Sequence, residues 1–136
     1  MTIKEIEKVL EVPRATIRFY EKEGLIDPKR EANGYRTYSD EDVELLRKII
    51  ILRKIGLSVN EISDLFDGAR TLNDVLDENI DHLEEQMNEL KGAMKLSRQM
   101  LDASIDIDTL DTVKYWNVID EEEEKGNRFI DIAIAY

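Results

Sequence analysis

Cysteine is absent from the 136 residues. Disulfides, zinc-finger spacings and thiol nucleophiles are thereby excluded. Histidine occurs once, as His82, and no glycine-rich phosphate-binding loop is present. With no cysteine, one histidine and no such loop, the chain is not expected to be an enzyme, and neither a cofactor nor a metal is expected. Proline occurs twice and glycine six times, which speaks against an all-β sandwich and for long helices. No apolar run approaches the roughly 18 residues of a membrane span, and the first residues lack a signal-peptide pattern. A cytoplasmic location is therefore expected.

Charge is abundant but unevenly placed. Residues 1–70 hold 13 Lys/Arg and 14 Asp/Glu, a net of −1. Residues 71–136 hold 6 and 17, a net of −11, which completes the overall −12. A uniformly acidic protein would be repelled by nucleic acid, but this asymmetry leaves the front half free to meet it.

The front half reads as a series of capped helices. Thr2-Ile-Lys-Glu5 has the form of a capping box, and Ile3, Ile6, Val9 and Leu10 follow at helical spacing. Pro13 suits the start of a second helix, where its missing N–H costs nothing. That helix, "RATIRFYEKEG", stops at Gly24. Two short helices across a tight turn form a helix-turn-helix candidate. Leu25 to Tyr38 changes character: the loop "DPKREANG" and then "YRTY" predict a small two-stranded wing, with Lys29 and Arg30 in its loop. Ser39 and Ser58 each open a further capped helix, and the short basic "RKIGL" between those helices is placed like a second wing.

From Thr71 a long helix is expected. Leu76, Ile80, Leu83, Met87, Leu90, Met94, Ser97 and Leu101 recur at alternating steps of four and three, a heptad seam with one polar break. A single helix cannot bury such a seam, and little apolar chain remains to cover it, so a homodimer is expected. His82 is read as a surface or seam-flanking residue. In the tail, Met100, Tyr115 and Trp116 offer a large, adaptable apolar surface. They are the candidate site for an organic effector, although packing beneath a partner helix would use the same residues. Asp102, Asp106, Asp108 and Asp111 are read as a solvated loop. The closing "RFIDIAIAY" suits either a helix or an alternating strand, and so apolar an ending suggests a shortened version of something longer.

Arg14, Thr16, Arg18 and Tyr20 lie together on the second helix, with Ile17 and Phe19 expected to face or flank the core. In a helix-turn-helix the second helix enters the DNA major groove. There arginine can pair with guanine or phosphate, threonine can touch a base edge, and tyrosine can reach a phosphate. An ordinary solvated helix surface would look much the same on spacing alone.

A longer pattern adds to this. "ATIRFYEKEGLI" followed by "REANGYRTYSDEDVELLRKIIILRKIGLSVNEISDLF" resembles the DNA-binding domain of the MerR family of bacterial transcription regulators, over about residues 1–68 and without gaps. The resemblance implies a mainly α protein with three parts. These are a winged helix-turn-helix DNA-binding domain over 1–70, a long antiparallel coiled-coil dimerisation helix over 71–103, and a short C-terminal effector or subunit-capping segment over 104–136. It also implies a dimer on a near-palindromic promoter operator that distorts the DNA in response to an effector, with double-stranded DNA and RNA polymerase as partners. Carried over residue by residue, Thr16, Arg18 and Tyr20 become recognition contacts. Tyr35, Arg36 and Tyr38 belong to the first wing, and Arg53 and Lys54 to the second. The sequence departs from the pattern at Glu11, where glycine is common, and at Pro13, where a capping serine is common. The family's metal sensors bind their ions through cysteines, which this chain lacks. Two other readings are an excisionase-type accessory protein, against which the long seam counts, and a coiled-coil interaction protein that no longer binds DNA, against which Arg18, Tyr20 and Arg36 count.

Overall fold

Side-chain caps start most of the helices where the sequence places them. The computed structural model describes residues 1–133. Helix α1 is Ile3–Leu10, and Thr2 Oγ1 accepts from the Glu5 amide at 3.2 Å. Helix α2 is Arg14–Lys22. Strands β1 (Lys29–Arg30) and β2 (Arg36–Thr37) pair antiparallel, with Lys29 opposite Thr37 and Arg30 opposite Arg36. Helices α3 (Asp40–Lys54) and α4 (Val59–Phe66) both open with complete capping boxes, Ser39 with Asp42 and Ser58 with Glu61. Helix α5 spans Leu72–Asp102, and after a 3₁₀ turn at Ile107–Thr109 comes α6, Thr112–Glu124.

The ends of the helices are as well defined as their starts. After α2 the Gly24 amide donates to the Glu21 carbonyl and the Leu25 amide to that of Tyr20, each at 3.0 Å. This is the Schellman pairing that ties off the last carbonyls of a helix, and it depends on the left-handed φ of +79° at Gly24. It also turns Leu25 and Ile26 inward, where both are buried. The same pairing closes α3, α4 and α6.

The chain forms two units, Met1–Leu76 and the remainder from Asp77. The boundary falls inside α5, six residues beyond the division expected at residue 70. The reason is Val75, which is fully buried in the core of the first unit. That core gathers Ile6 of α1, Ile17 and Tyr20 of α2, Val43, Leu46 and Ile49 of α3, and Ile62 of α4 around Leu57 and Tyr38. Seven of its residues are completely inaccessible. At about 1.5–3 kcal/mol for each fully buried aliphatic side chain, this cluster is the main source of the unit's stability.

The second unit is built differently. Leu96 of α5 and Tyr115 of α6 are buried, while Ile80, Met87, Leu90 and Met94 of the seam are more than half exposed. Ser97, the polar break, donates its hydroxyl to the Ala93 carbonyl at 2.7 Å and so satisfies itself within the helix. Gly92 lets the backbone carbonyl of Arg128 approach α5 where any Cβ would collide with it. The segment 127–133 contains neither helix nor strand, contrary to both expectations for the closing stretch. Gly126, at φ +91°, ends α6, and the chain then lies along α5 at Gly92. The last three residues of that stretch lie outside the described residues.

Candidate nucleic-acid interface

Helix α2 turns one face inward through Ile17 and Tyr20, which are 0% and 5% exposed. At 100° per residue, that places Ala15, Arg18, Phe19 and Lys22 on the opposite face, and all four are exposed. Arg18 therefore lies where the sequence reading put it, and Thr16 is half-buried at the edge. Tyr20 does not: it is a core residue, and Phe19, expected inside or flanking, is the exposed aromatic. The two rings are neighbours with centroids 5.9 Å apart. Lys22 and Phe19 are the exposed-face candidates that the motif reading missed. A helical wheel anchored on Ile17 would have found both.

The start of α2 solves the problem set by Pro13. Pro13 occupies the N-cap, one position before the first helical turn, and supplies no side-chain bond. Glu7 of α1 takes its place. One carboxylate oxygen accepts from the Arg14 amide at 2.8 Å and from Arg14 Nε at 2.7 Å. Arg14 thus holds the helix-turn-helix pair together while remaining at the surface. Its guanidinium and amide bonds lower the Glu7 carboxyl below its ordinary 4.5, with a smaller electrostatic contribution from Arg18.

The wing is tied to the same helix. Arg36 Nε donates to Glu21 of α2 at 2.6 Å, and Arg30 approaches the other Glu21 oxygen at 4.0 Å. Arg30 also donates to the Gly34 carbonyl at 3.1 Å. Lys29 and Arg30 lie in β1, not in the loop as expected. The pairing begins earlier because the turn is confined to Glu31–Tyr35, where Asn33 Oδ1 accepts from the Tyr35 amide and Gly34 adopts φ +85°. Tyr35 projects from this tip, 73% exposed. Tyr38 does the reverse. It is 2% exposed, and its hydroxyl is buried without a hydrogen-bond partner among the described residues. Burial, and secondarily Glu21, raises the phenol above its ordinary value. Tyr38 anchors the wing in the core, and its backbone exchanges two 2.7 Å hydrogen bonds with Met1. Its expected place on the wing surface is therefore corrected.

At the turn from α3 to α4, Arg53 donates to the Leu57 carbonyl at 3.0 Å. Leu57 is fully buried, so this bond fixes the turn while Arg53 and Lys54 remain exposed. In the second unit, Met100 and Trp116 line one groove with Leu96, Ile119 and Phe129. Tyr115 is buried and does not line it; its ring instead carries Lys114 Nζ at 5.3 Å. Among the described residues no cluster of acidic or histidine side chains could hold a metal ion, and no helix is long and apolar enough to cross a membrane.

Two helices across a tight turn, a two-stranded wing packed on the second of them and a further helix pair define a winged helix-turn-helix protein. The family described as MerR HTH family regulatory protein matches residues 1–69. The HTH-type transcriptional regulator HmrR of Sinorhizobium medicae is 37% identical over 105 residues, covering 74% of this chain and 71% of that protein. The heavy metal-dependent transcription regulator 2 of Rhizobium meliloti is 34% identical, with the same coverage. Among solved structures, MtaN, the N-terminal part of the Bacillus subtilis multidrug transporter activator, superposes with a TM-score of 0.64 at 23% identity, over 74% of this chain and 97% of its own. The chain belongs to the MerR family, and it is a DNA-binding transcriptional regulator.

Proposed function

We propose that the protein binds a near-palindromic promoter operator as a homodimer and alters its shape to control transcription by RNA polymerase in the cytoplasm. The observation that carries this reading is the outward face of α2. Arg18 and Lys22 stand opposite the buried Ile17 and Tyr20, and the Glu21–Arg36 bond sets the wing against the same helix. In this reading Arg18 and Thr16 approach base edges. Tyr35, Lys29, Arg30, Arg53 and Lys54 meet phosphates, and Arg14 and Arg36 hold the frame. The exposed seam from Leu76 to Leu101 supports dimerisation through antiparallel α5 helices. The groove of Met100 and Trp116 is the place for an effector. Its lining, apolar side chains edged by Glu89, Asp120, Glu123 and Asp131, suits an organic molecule, and a thiolate-bound metal of the kind used by the family's metal sensors has no ligand in these 136 residues.

Selection of bound sequences from random duplex DNA, followed by gel shifts, tests the reading. Arg18→Ala is expected to cost about 1–3 kcal/mol on the selected site and to relax its sequence preference. Arg53→Ala should weaken all duplexes alike and reduce the slope of affinity against salt. Wild-type protein that prefers no sequence over random duplex at physiological salt would end the proposal.

A further inference from the structure

The second unit is acidic, yet half of its cations gather in one place. Residues 71–136 hold six Lys/Arg against 17 Asp/Glu. Three of the six, Lys91, Lys95 and Arg128, line a single cavity of about 170 Å³. None of the three makes an ion pair within 4.0 Å among the described residues. Lys91 and Lys95 also stand one turn apart on α5, a like-charge pair that weakens a helix on its own. In a unit so rich in carboxylates, three uncompensated cations around one opening need a reason.

The cavity is built by three segments of that unit. Helix α5 gives Lys91 and Lys95 together with the carboxamides of Asn88 and Gln99. Gly92, between them, is two residues from both Leu90 and Met94, about 200° around a helix. The cavity therefore opens opposite the seam, and pairing along the seam leaves it free. Helix α6 gives Val118 and Glu122, and the segment after it gives Asn127, Arg128 and Phe129. The Arg128 carbonyl packs so closely on Gly92 that a Cβ there would lie 2.0 Å from it. That contact holds one wall of the cavity against α5.

Charge and burial divide the lining. Leu96 is buried, Val118 and Phe129 are half-buried, and the three cations are exposed at the mouth. Glu122 is the one carboxylate in the lining, and it is already engaged. Asn127 Nδ2 donates to it at 2.6 Å, and Lys125 Nζ lies 3.7 Å away. Asn127, and then Lys95, hold its carboxyl below its ordinary 4.5. Three cations and one carboxylate leave the lining with a net charge of +2.

Cations above an apolar floor match an anion joined to an apolar body. The volume is well below the roughly 300–1,000 Å³ of sites for drug-sized ligands, so that body is one ring or a short chain. The net −11 of the surrounding residues repels a multiply charged ligand most. We propose that this cavity binds a small monocarboxylate, its carboxylate among Lys91, Lys95 and Arg128 and its apolar body on Leu96, Val118 and Phe129. The site is separate from the groove of Met100 and Trp116, but Arg128 and Phe129 wall both. An occupied cavity therefore fixes a wall of that groove.

Benzoate is the probe, titrated into the full chain at constant ionic strength and followed by the shifts of its backbone amides. Benzamide carries the same ring without charge, benzylamine reverses the charge, and phosphate lacks the apolar body. Benzoate is expected to act at the lowest concentration of the four, with shifts concentrated in residues 88–99 and 118–129. Lys91→Gln with Lys95→Gln in one chain should weaken it by about tenfold, as for two partly screened charge pairs. Lys114→Gln, which removes a cation of the same unit outside the cavity, should leave it unchanged. Gly92→Ala, with every cation in place, should displace the wall and weaken benzoate too. Unchanged shifts elsewhere in the spectrum show that each variant is folded. Benzoate bound no more tightly than benzamide, or equally well by the double variant, overturns the proposal. Phosphate bound as tightly as benzoate overturns the assigned ligand class, because the apolar floor would then contribute nothing.

Discussion

The two units of this chain use similar proportions of apolar sequence to opposite ends. The first closes twelve residues into a core drawn from four helices, the start of α5 and the base of the wing. Two ion pairs, Glu7 with Arg14 and Glu21 with Arg36, tie its elements to one another. The second buries Leu96 and Tyr115 and leaves Ile80, Met87, Leu90, Met94, Leu101, Ile107 and Trp116 exposed. It also carries nearly all of the net negative charge. A unit with its own core can fold alone. A unit whose apolar residues form a stripe on one helix needs a second surface, because the stabilisation comes from area removed from water. Dense charge of one sign keeps such a stripe from joining unselected surfaces. In the proposed dimer the first unit is the reader and the second the assembling element.

The largest effect expected from breaking this contrast is at Leu83. Leu83→Asp would set carboxylates near both copies of Met94 in the seam, at a cost on the order of several kcal/mol for burying unpaired charge. Light scattering should show a monomer at micromolar concentration, and operator binding should be lost because one reader covers one half-site. The first unit should keep its fold, which the amide exchange of α3 would report. Collapse of both units together would show that their independence is wrong.

The converse change is Leu46→Ala, which opens a cavity in the core of the first unit. A loss of about 2–5 kcal/mol is expected, the range for truncating a fully buried leucine. Denaturant unfolding followed through the first-unit tyrosines should shift accordingly. Trp116, the only tryptophan and a residue of the second unit, should report an unshifted transition if the units unfold separately.

The sequence made some of this legible because the signals were local. Ser39, Ser58 and Gly24 mark helix ends through bonds spanning three to five residues, and the seam of α5 repeats over four heptads. What it hid was rotation and long-range substitution. Tyr20 was read outward because arginine and threonine are its polar neighbours, yet it shares the inward face of α2 with Ile17, three residues before it. Tyr38 was read by its motif, and nothing local shows that its ring fills the core beneath the wing. The carboxylate that replaces a cap at Pro13 comes from Glu7, on another helix, and only the packing of α1 on α2 brings it there. Gly92 of α5 lies against the Arg128 carbonyl, a contact between residues 36 apart that no local pattern marks.

A smaller effect concerns that substitute cap. Glu7→Gln keeps an acceptor oxygen but removes the charge from both the Arg14 bond and the positive end of α2. The first unit should lose modest stability at neutral pH. The pH dependence sharpens the test. The folded carboxyl titrates below its ordinary 4.5, so its contribution is complete above that value and disappears as the pH falls through the folded value. Wild type and Glu7→Gln should therefore differ at pH 7 and converge in acid. An offset that persists unchanged to pH 2 would assign the loss to shape and not to charge.

The smallest expected change is a gain, and it probes backbone strain in both units with the same chemistry. Glu11 closes α1 with φ 55°, and Ser104 follows α5 with φ 53°, the two non-glycine residues with positive φ among the described residues. A Cβ in the left-handed region is unfavourable by roughly 1–2 kcal/mol, while glycine loses more freedom on folding, roughly 0.5–1 kcal/mol. The balance favours glycine slightly at each site. In the first unit Glu11→Gly acts on a turn locked between α1 and the Glu7–Arg14 bond. The gain should appear in the unit's cooperative unfolding as a rise of about 1–4 °C in Tm, since 1 kcal/mol moves a domain of this size by roughly 4–8 °C. In the second unit Ser104→Gly acts on the loop that presents Ile107. There the added freedom in the separated chains opposes assembly, so the gain should be smaller or absent when dimer dissociation is followed by dilution. Equal gains at both sites would mean that the loop is held as firmly by its own chain as the helix-turn-helix is. A loss at Glu11 would mean that its side chain makes a contribution larger than the strain it carries.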